Sequence, residues 1–244
     1  MNELSDIFST NIFESCEDFK LGQPLPMAVI DDFLPVTVAL NLYKESNSIP
    51  DSYWTKFTRN GSHMKECKNL SVAPNAFNLV AYLHSSYALR HLEKITGIEK
   101  LIPDPHLVGA GYSKSSNGDT LKIHNDFNWN EELQLHRALS LIIYISPEWK
   151  TEWGGALDFY DNKREQVIRS VDCIFNRCLI WQYNKYGFHG YEKPIACPED
   201  QYRATFRLFY YTSNSTHNPE DPPHRSQYWF DPTTGSPYDI REQK

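Results

Sequence analysis

The sequence predicts a mainly β chain whose centre is an antiparallel barrel or sandwich, with helices beside it. Two observations carry this reading. From about Pro105 to Thr212, short β-branched and aromatic runs are separated by turn-rich loops, a texture that favours antiparallel over parallel α/β sheets. Helical spacing is found upstream instead, where Val38 and Leu42, and then Leu89, Leu92 and Ile95, recur near one face.

In chain order, MAVIDDFL between Pro24 and Pro35 is a short β-rich run ending in a turn, and VTVALNLYKES after Pro35 is a helix, because proline suits a helix start. A second helical stretch covers about Phe77 to Thr96, interrupted near Ser85 and Ser86, and ends at Gly97, a residue suited to a helix C-terminal cap. TLKIHND follows, then LSLIIYI ending at Ser146-Pro147, ALDFY after Gly154-Gly155, CLIWQY and RATFRLFYYT, all strand-like. The final stretch is rich in Pro, Ser and Asn and has no periodicity. The chain therefore divides into 1–104, a mixed α/β elaboration packing on the barrel; 105–212, the barrel; and 213–244, an extended polar tail that Tyr228, Trp229 and Phe230 could pin to the body.

A chain of 244 residues suits one domain with elaborations. Its 40% hydrophobic and 14% aromatic content demands burial and excludes a disordered protein. The net charge of −7 argues against nucleic acid or an anionic membrane as partner. No stretch reaches the roughly 20 apolar residues that span a bilayer, and the acidic N-terminus lacks the pattern of a secretory signal. A soluble, cytoplasmic protein is expected. The five cysteines are scattered without a C-x-x-C pair, so reduced thiols are expected rather than a disulfide framework or a zinc ribbon.

His124-Asn125-Asp126 closes the run TLKIHND, and a strand sends residues i and i+2 to one face, so imidazole and carboxylate can share an ion. His189, at the end of CLIWQYNKYGF, offers a third ligand. Two histidines and one carboxylate leave three octahedral positions open, the arrangement non-haem iron(II) uses, whereas a structural zinc would want four protein ligands. Alone, H-x-D is equally a surface histidine beside a helix-capping aspartate. In RATFRLFYYT, period two places Arg203, Thr205, Arg207, Phe209 and Tyr211 on one face. An arginine facing an apolar interior needs an anion, either a ligand carboxylate or a structural Asp or Glu. The same alternation groups Ser140, Ile142 and Tyr144, so the Tyr144 hydroxyl reaches toward that anion or is ordinary core.

GAGYSKSSNGDTLKIHND, then HRALSLIIYISPEWKTEWGGALDFYD, then FNRCLIWQYNKYGFHGYEKPIACPEDQYRATFRLFYYT, in this order, resemble the prolyl-4-hydroxylase-like group of iron(II)/2-oxoglutarate oxygenases. The resemblance covers about residues 105–212, and more weakly PLPMAVIDDFLP and TGIEKLIPDPHLVGAGY upstream. It implies a double-stranded β-helix, or jelly roll, with flanking helices. It implies iron(II) on His124, Asp126 and His189, and 2-oxoglutarate held by Arg203 through its distal carboxylate, with Thr205, Tyr144 and the pocket tyrosine Tyr112 assisting. The reaction implied is hydroxylation by dioxygen, coupled to decarboxylation of 2-oxoglutarate to succinate and carbon dioxide. Asp126 favours a hydroxylase, since halogenating members lack this carboxylate. Arg207 departs from the family, which more often carries a small or apolar residue there; pairing with a buried carboxylate is the default expectation. The expected substrate is a peptidyl or free amino acid such as proline; an oxygenase of a small metabolite, sugar or lipid, or a non-catalytic 2-oxoglutarate-binding module, are the other readings. Trp129, Arg137, Trp153 and Trp181 are candidates for the mouth or the core.

Overall fold

The computed structural model describes residues 25–59, 61–161, 163–215 and 221–228, together with Ile7 and Phe19. Among the described residues the strands form two antiparallel sheets. The larger sheet holds nine strands: β1 (Met27–Ile30), β2 (Thr55–Arg59), β3 (Ser62–Cys67), β4 (Ile102–Pro103), β5 (Gly111–Ser115), β7 (Trp129–Asn130), β8 (Leu135–Tyr144), β11 (Cys178–Gln182) and β13 (Arg203–Thr212). Its main path runs β1-β11-β8-β13-β5-β3-β2, with β4 on β13 and β7 on β8. The smaller sheet runs β10-β9-β12-β6-β14, formed by β6 (Leu121–Asn125), β9 (Leu157–Tyr160), β10 (Val167–Val171), β12 (His189–Tyr191) and β14 (Gln227–Tyr228). This is a double-stranded β-helix.

Two apolar layers hold the sheets. Alternation along β8 sends Leu139, Leu141 and Ile143 to the outer face, where they pack with Phe206, Leu208 and Tyr210 of β13. Three helices cover that face: α1 (Val36–Ser48), α2 (Pro74–Leu83) and α3 (Ser86–Thr96), which bury Leu42, Leu79, Leu83, Leu92 and Ile95. The inner face meets the small sheet, with Ile142, Tyr144, Leu179 and Trp181 against Leu157, Phe159 and Tyr191. The break between α2 and α3 is made by Ser85, whose hydroxyl accepts from Ala88 N at 3.3 Å, and α3 ends at Gly97 with φ +72°. No described helix is long and apolar enough to cross a membrane, and Cys67, Cys173, Cys178 and Cys197 are buried.

The N-terminal region supplies strands to the sheet as well as the helices that cover it: β1 extends one edge beside β11, and the β2–β3 hairpin extends the other through β5. Nor is 221–228 a free tail, because β14 pairs with β6 and Tyr228 is buried; Trp229 and Phe230 lie outside the described residues.

Tyr112 is expected from the resemblance to face the pocket, and it does not. On β5 it stands opposite Phe206, on the helix-covered face, while its neighbour Ser113 stands opposite Thr205 and lines the cavity. Its hydroxyl donates to Glu45 Oε1 at 2.7 Å. The buried Glu45 carboxylate also accepts from Asn75 N, Asn75 Nδ2 and Ala76 N, which caps the start of α2 with a negative charge. Tyr112 thus belongs to the contact that ties α1, α2 and β5 together. Tyr112→Phe is expected to lower stability by about 1–3 kcal/mol, since it removes a buried hydrogen bond to a charged acceptor. Chemical denaturation of the two proteins measures this, and equal stability would contradict the assignment.

Candidate metal centre

The centre is built where β12 crosses β6. His189 is the direct cross-strand partner of His124, and the chain leaves β6 at Asn125 so that Asp126 follows at once. Gly190 makes the close approach possible: a Cβ there would lie 2.5 Å from Leu121 O and 3.0 Å from Ile123 N. His189 does not continue the CLIWQ strand. That strand is β11 in the large sheet, and a turn at Asn184–Gly187 carries the chain over to β12 in the small one.

His124, Asp126 and His189 bring one ligand atom each to within 4.8 Å of one another. His124 Nε2 lies 3.6 Å from Asp126 Oδ1, and His189 Nε2 lies 3.8 Å from Asp126 Oδ2. Each imidazole is turned by its other nitrogen: His124 Nδ1 donates to Lys122 O at 2.9 Å and His189 Nδ1 to Gly187 O at 2.8 Å. Both Nε2 atoms therefore present lone pairs to the centre. Burial pushes His189 down to about 4, so its imidazole is neutral at physiological pH and able to ligate. Burial opposes the Asp126 charge, but Arg137 and the two histidines outweigh it and hold the carboxyl below the usual carboxylate range.

Arg137 was placed by the sequence only among candidates for mouth or core. It lies beside a ligand: Nη2 donates to Asp126 Oδ2 at 2.8 Å and to Ser140 Oγ at 2.9 Å, with the guanidinium over the Phe209 ring at 3.5 Å and the Phe127 ring at 4.6 Å. Tyr228 stacks on the His124 ring at 5.3 Å and 23°, and Trp181 meets His189 edge-on at 5.5 Å. Trp181 lines the cavity; Trp153 packs on Trp149 and Trp129 on His136.

The cavity, about 270 Å³, runs between the sheets from the centre to Arg203 and Thr205. Arg203 is buried, and Nε donates to Gly155 O at 2.7 Å and to Cys173 Sγ at 3.1 Å. Its guanidinium carbon stands 5.1 Å from the Tyr144 ring and 4.8 Å from the Tyr191 ring. Among the described residues no carboxylate pairs with Arg203, so the structural ion pair weighed above is not found there, and Arg203 lines the cavity. The Tyr144 hydroxyl is buried with no hydrogen-bond partner, and burial raises its pKa so that it remains a donor. Gly155, at φ +76°, has no Cβ to meet Arg203 Cδ, which would be 2.8 Å away. Arg207 is paired with Glu66 of β3, and both line the cavity.

Two imidazoles, one carboxylate and a buried arginine left for a ligand anion are the donor set of an iron(II) site with room for a carboxylate co-substrate. Comparison with known proteins agrees: residues 110–211 match the family model of the 2OG-Fe(II) oxygenase superfamily. This part of the chain is similar to that superfamily. Members of the 2OG-Fe(II) oxygenase superfamily use iron(II) and 2-oxoglutarate. Prolyl 3-hydroxylase OGFOD1 of Mus musculus is 27% identical over 132 residues, which are 52% of this chain and 22% of that protein, so the chain matches about a fifth of its relative. A prolyl hydroxylase from Trichoplax adhaerens, solved with a hypoxia inducible factor peptide, superposes with a TM-score of 0.60 at 14% identity, covering 84% of this chain and 95% of that one. A Pseudomonas putida prolyl-4-hydroxylase gives 0.60 at 11% identity, covering 84% and 100%. At these identities the likeness is one of fold.

Gly190→Ala tests how the centre is assembled. The added methyl meets backbone on β6, so β12 must move away and carry His189 from His124. Affinity for a divalent metal is expected to fall at least about tenfold, within the range for disturbing the support of metal ligands. Calorimetric titration with iron(II) or manganese(II), with circular dichroism as control, measures it; unchanged affinity in a folded variant would contradict this account.

Proposed function

We propose that the protein is an iron(II)/2-oxoglutarate-dependent dioxygenase that hydroxylates a C–H bond of an amino acid, peptidyl or free, with proline the first candidate. The observation that carries the reading is the coincidence in one cavity of the His124, Asp126 and His189 cluster with a buried Arg203 that no described carboxylate answers, the Tyr144 ring standing beside its guanidinium. The prolyl hydroxylases among the similar proteins support the amino-acid substrate.

Iron(II), when bound, supplies the redox chemistry that couples loss of carbon dioxide from 2-oxoglutarate to insertion of oxygen into a C–H bond. The chain does the rest. His124 and His189 offer imidazole nitrogen donors, and Asp126 offers one negative charge that Arg137 holds in position. Arg203 offers a planar fork to the distal carboxylate of 2-oxoglutarate, and Tyr144, with Thr205 beside it, offers a hydroxyl to the same group. Ile142, Leu157 and Trp181 line the space between these ends and limit water there.

Purified protein supplied with iron(II), 2-oxoglutarate and oxygen is expected to form succinate slowly without a primary substrate, and His189→Ala is expected to abolish this together with tight iron binding. Full turnover in that variant would contradict the metal assignment. Arg203→Ala is expected to weaken 2-oxoglutarate binding by about 2–5 kcal/mol, roughly thirty-fold to several thousand-fold, with Arg203→Lys intermediate. A folded, iron-loaded Arg203→Ala protein with wild-type affinity for 2-oxoglutarate would sink the co-substrate assignment.

A further inference from the structure

Among the described residues five charged side chains line the cavity: Glu66, Asp126, Arg137, Arg203 and Arg207. Asp126 and Arg137 are bonded to each other at the metal centre, and Arg203 is taken by the co-substrate on the reading above. Glu66 and Arg207 remain. They form an ion pair with side chains only 24% and 16% exposed. Arg207 stands four residues beyond Arg203 on the same strand face, about 13 Å along it at ~3.3 Å per residue. That distance puts it on the far side of Thr205 from the co-substrate carboxylate.

The backbone makes room for this pair. Arg207 is opposite Gly111 on β5, and Glu66 on β3 is opposite Ser113, one step along. Gly111 has no side chain between them, and its φ of +91° with Cys67 O 2.6 Å from where a Cβ would be keeps the position bare. Arg207 can therefore cross the strand to Glu66. Yet the pair is poorly satisfied for a purely structural one. Arg207 Nε is buried without a partner, and Nη1 meets only the Met64 sulfur at 4.0 Å. A guanidinium has five N–H donors, and here one nitrogen alone reaches an oxygen. Phe57, Met64 and Phe209 line the same cavity, so its wall offers few acceptors in place of the missing ones.

We propose that Glu66 and Arg207 recognise the head group of a free α-amino acid as the primary substrate, Arg207 taking its carboxylate and Glu66 its ammonium. The inference rests on the oxygenase reading and narrows its substrate class. A paired wall is neutral as a whole. A lone carboxylate or a lone amine would leave one unbalanced charge in a half-buried, largely apolar place, whereas a zwitterion meets both charges and leaves none. A residue inside a peptide carries neither charge and would leave the pair's free donors unanswered.

The test uses the anaerobic iron(II)–2-oxoglutarate complex of the full chain, titrated with the standard free L-amino acids and with the same amino acids as N-acetyl amides. Binding is read by calorimetry and by the shift of the complex's absorption band. At least one free amino acid is expected to bind, with its N-acetyl amide about thirty-fold weaker or worse, matching loss of a desolvated charge contact. Glu66→Gln and Arg207→Gln are each expected to erase most of that discrimination. Arg207→Lys, which keeps the charge, is expected to retain part of it and covers the case in which Arg207→Gln does not fold. Equal or tighter binding of the blocked forms, no binding of any free amino acid to a properly formed complex, or undiminished discrimination in Glu66→Gln would each overturn the proposal. Failure to form the iron(II)–2-oxoglutarate complex at all would overturn the oxygenase reading and this one with it, and is seen before any amino acid is added.

Discussion

The contact between β12 and β6 is the constraint on which the rest of the structure depends. His189 and His124 are cross-strand partners, and their rings come within 4.6 Å because Gly190 puts no side chain between the two backbones. Burial disfavours the protonated form of His189, and the neighbouring His124 works in the same direction. Asp126 supplies the opposing charge, and Arg137, fixed by Ser140 and the Phe127 and Phe209 rings, keeps that carboxylate from turning away. Neutral nitrogens and an ionised oxygen are the protonation states metal binding requires.

The opposite end of the cavity follows a different rule. Burying a guanidinium is expensive unless hydrogen bonds or an anion compensate, and Arg203 finds only a carbonyl and a thiol for its Nε. Gly155 gives it a seat, while the Tyr144 and Tyr191 rings flank it. Tyr191 has its hydroxyl engaged with Ser115 at 2.8 Å, but Tyr144 has none for its own. A dicarboxylate that spans from this end to the metal would satisfy both groups at once. The two ends are independent in sequence and share only the barrel interior, which is why the jelly roll suits this chemistry.

Much of this was legible in the sequence because strands impose a period of two. Arg203, Thr205 and Arg207 do line one cavity, Ile142 and Tyr144 do face inward from β8, and the break near Ser85 does separate two helices. The pairing of Arg207 with a carboxylate followed from the cost of burying charge, although nothing in the sequence said that the carboxylate would be Glu66. Tyr112 failed because a shift of one residue on β5 exchanges the faces, and the glycine loops before β5 hide the register. Tyr228 was legible as a residue that could pin the tail, but its strand β14 and the β2–β3 hairpin were unreadable for another reason. A two-residue strand has no period, and in the hairpin the cavity-facing position two after Met64 is the charged Glu66, which breaks the apolar alternation. Tyr191 could have been found, since it stands two residues after His189 and so shares its face.

The central claim is that one metal ion is held by His124, Asp126 and His189 while Arg203 holds the far carboxylate of 2-oxoglutarate. A crystal structure of the protein with manganese(II) in place of iron and with 2-oxoglutarate tests both halves in one map. The account predicts an anomalous peak bonded to His124 Nε2, His189 Nε2 and an Asp126 oxygen, with the ligand's distal carboxylate on Arg203 and the Tyr144 hydroxyl. A metal bound elsewhere, or 2-oxoglutarate with its distal carboxylate away from Arg203, would contradict it.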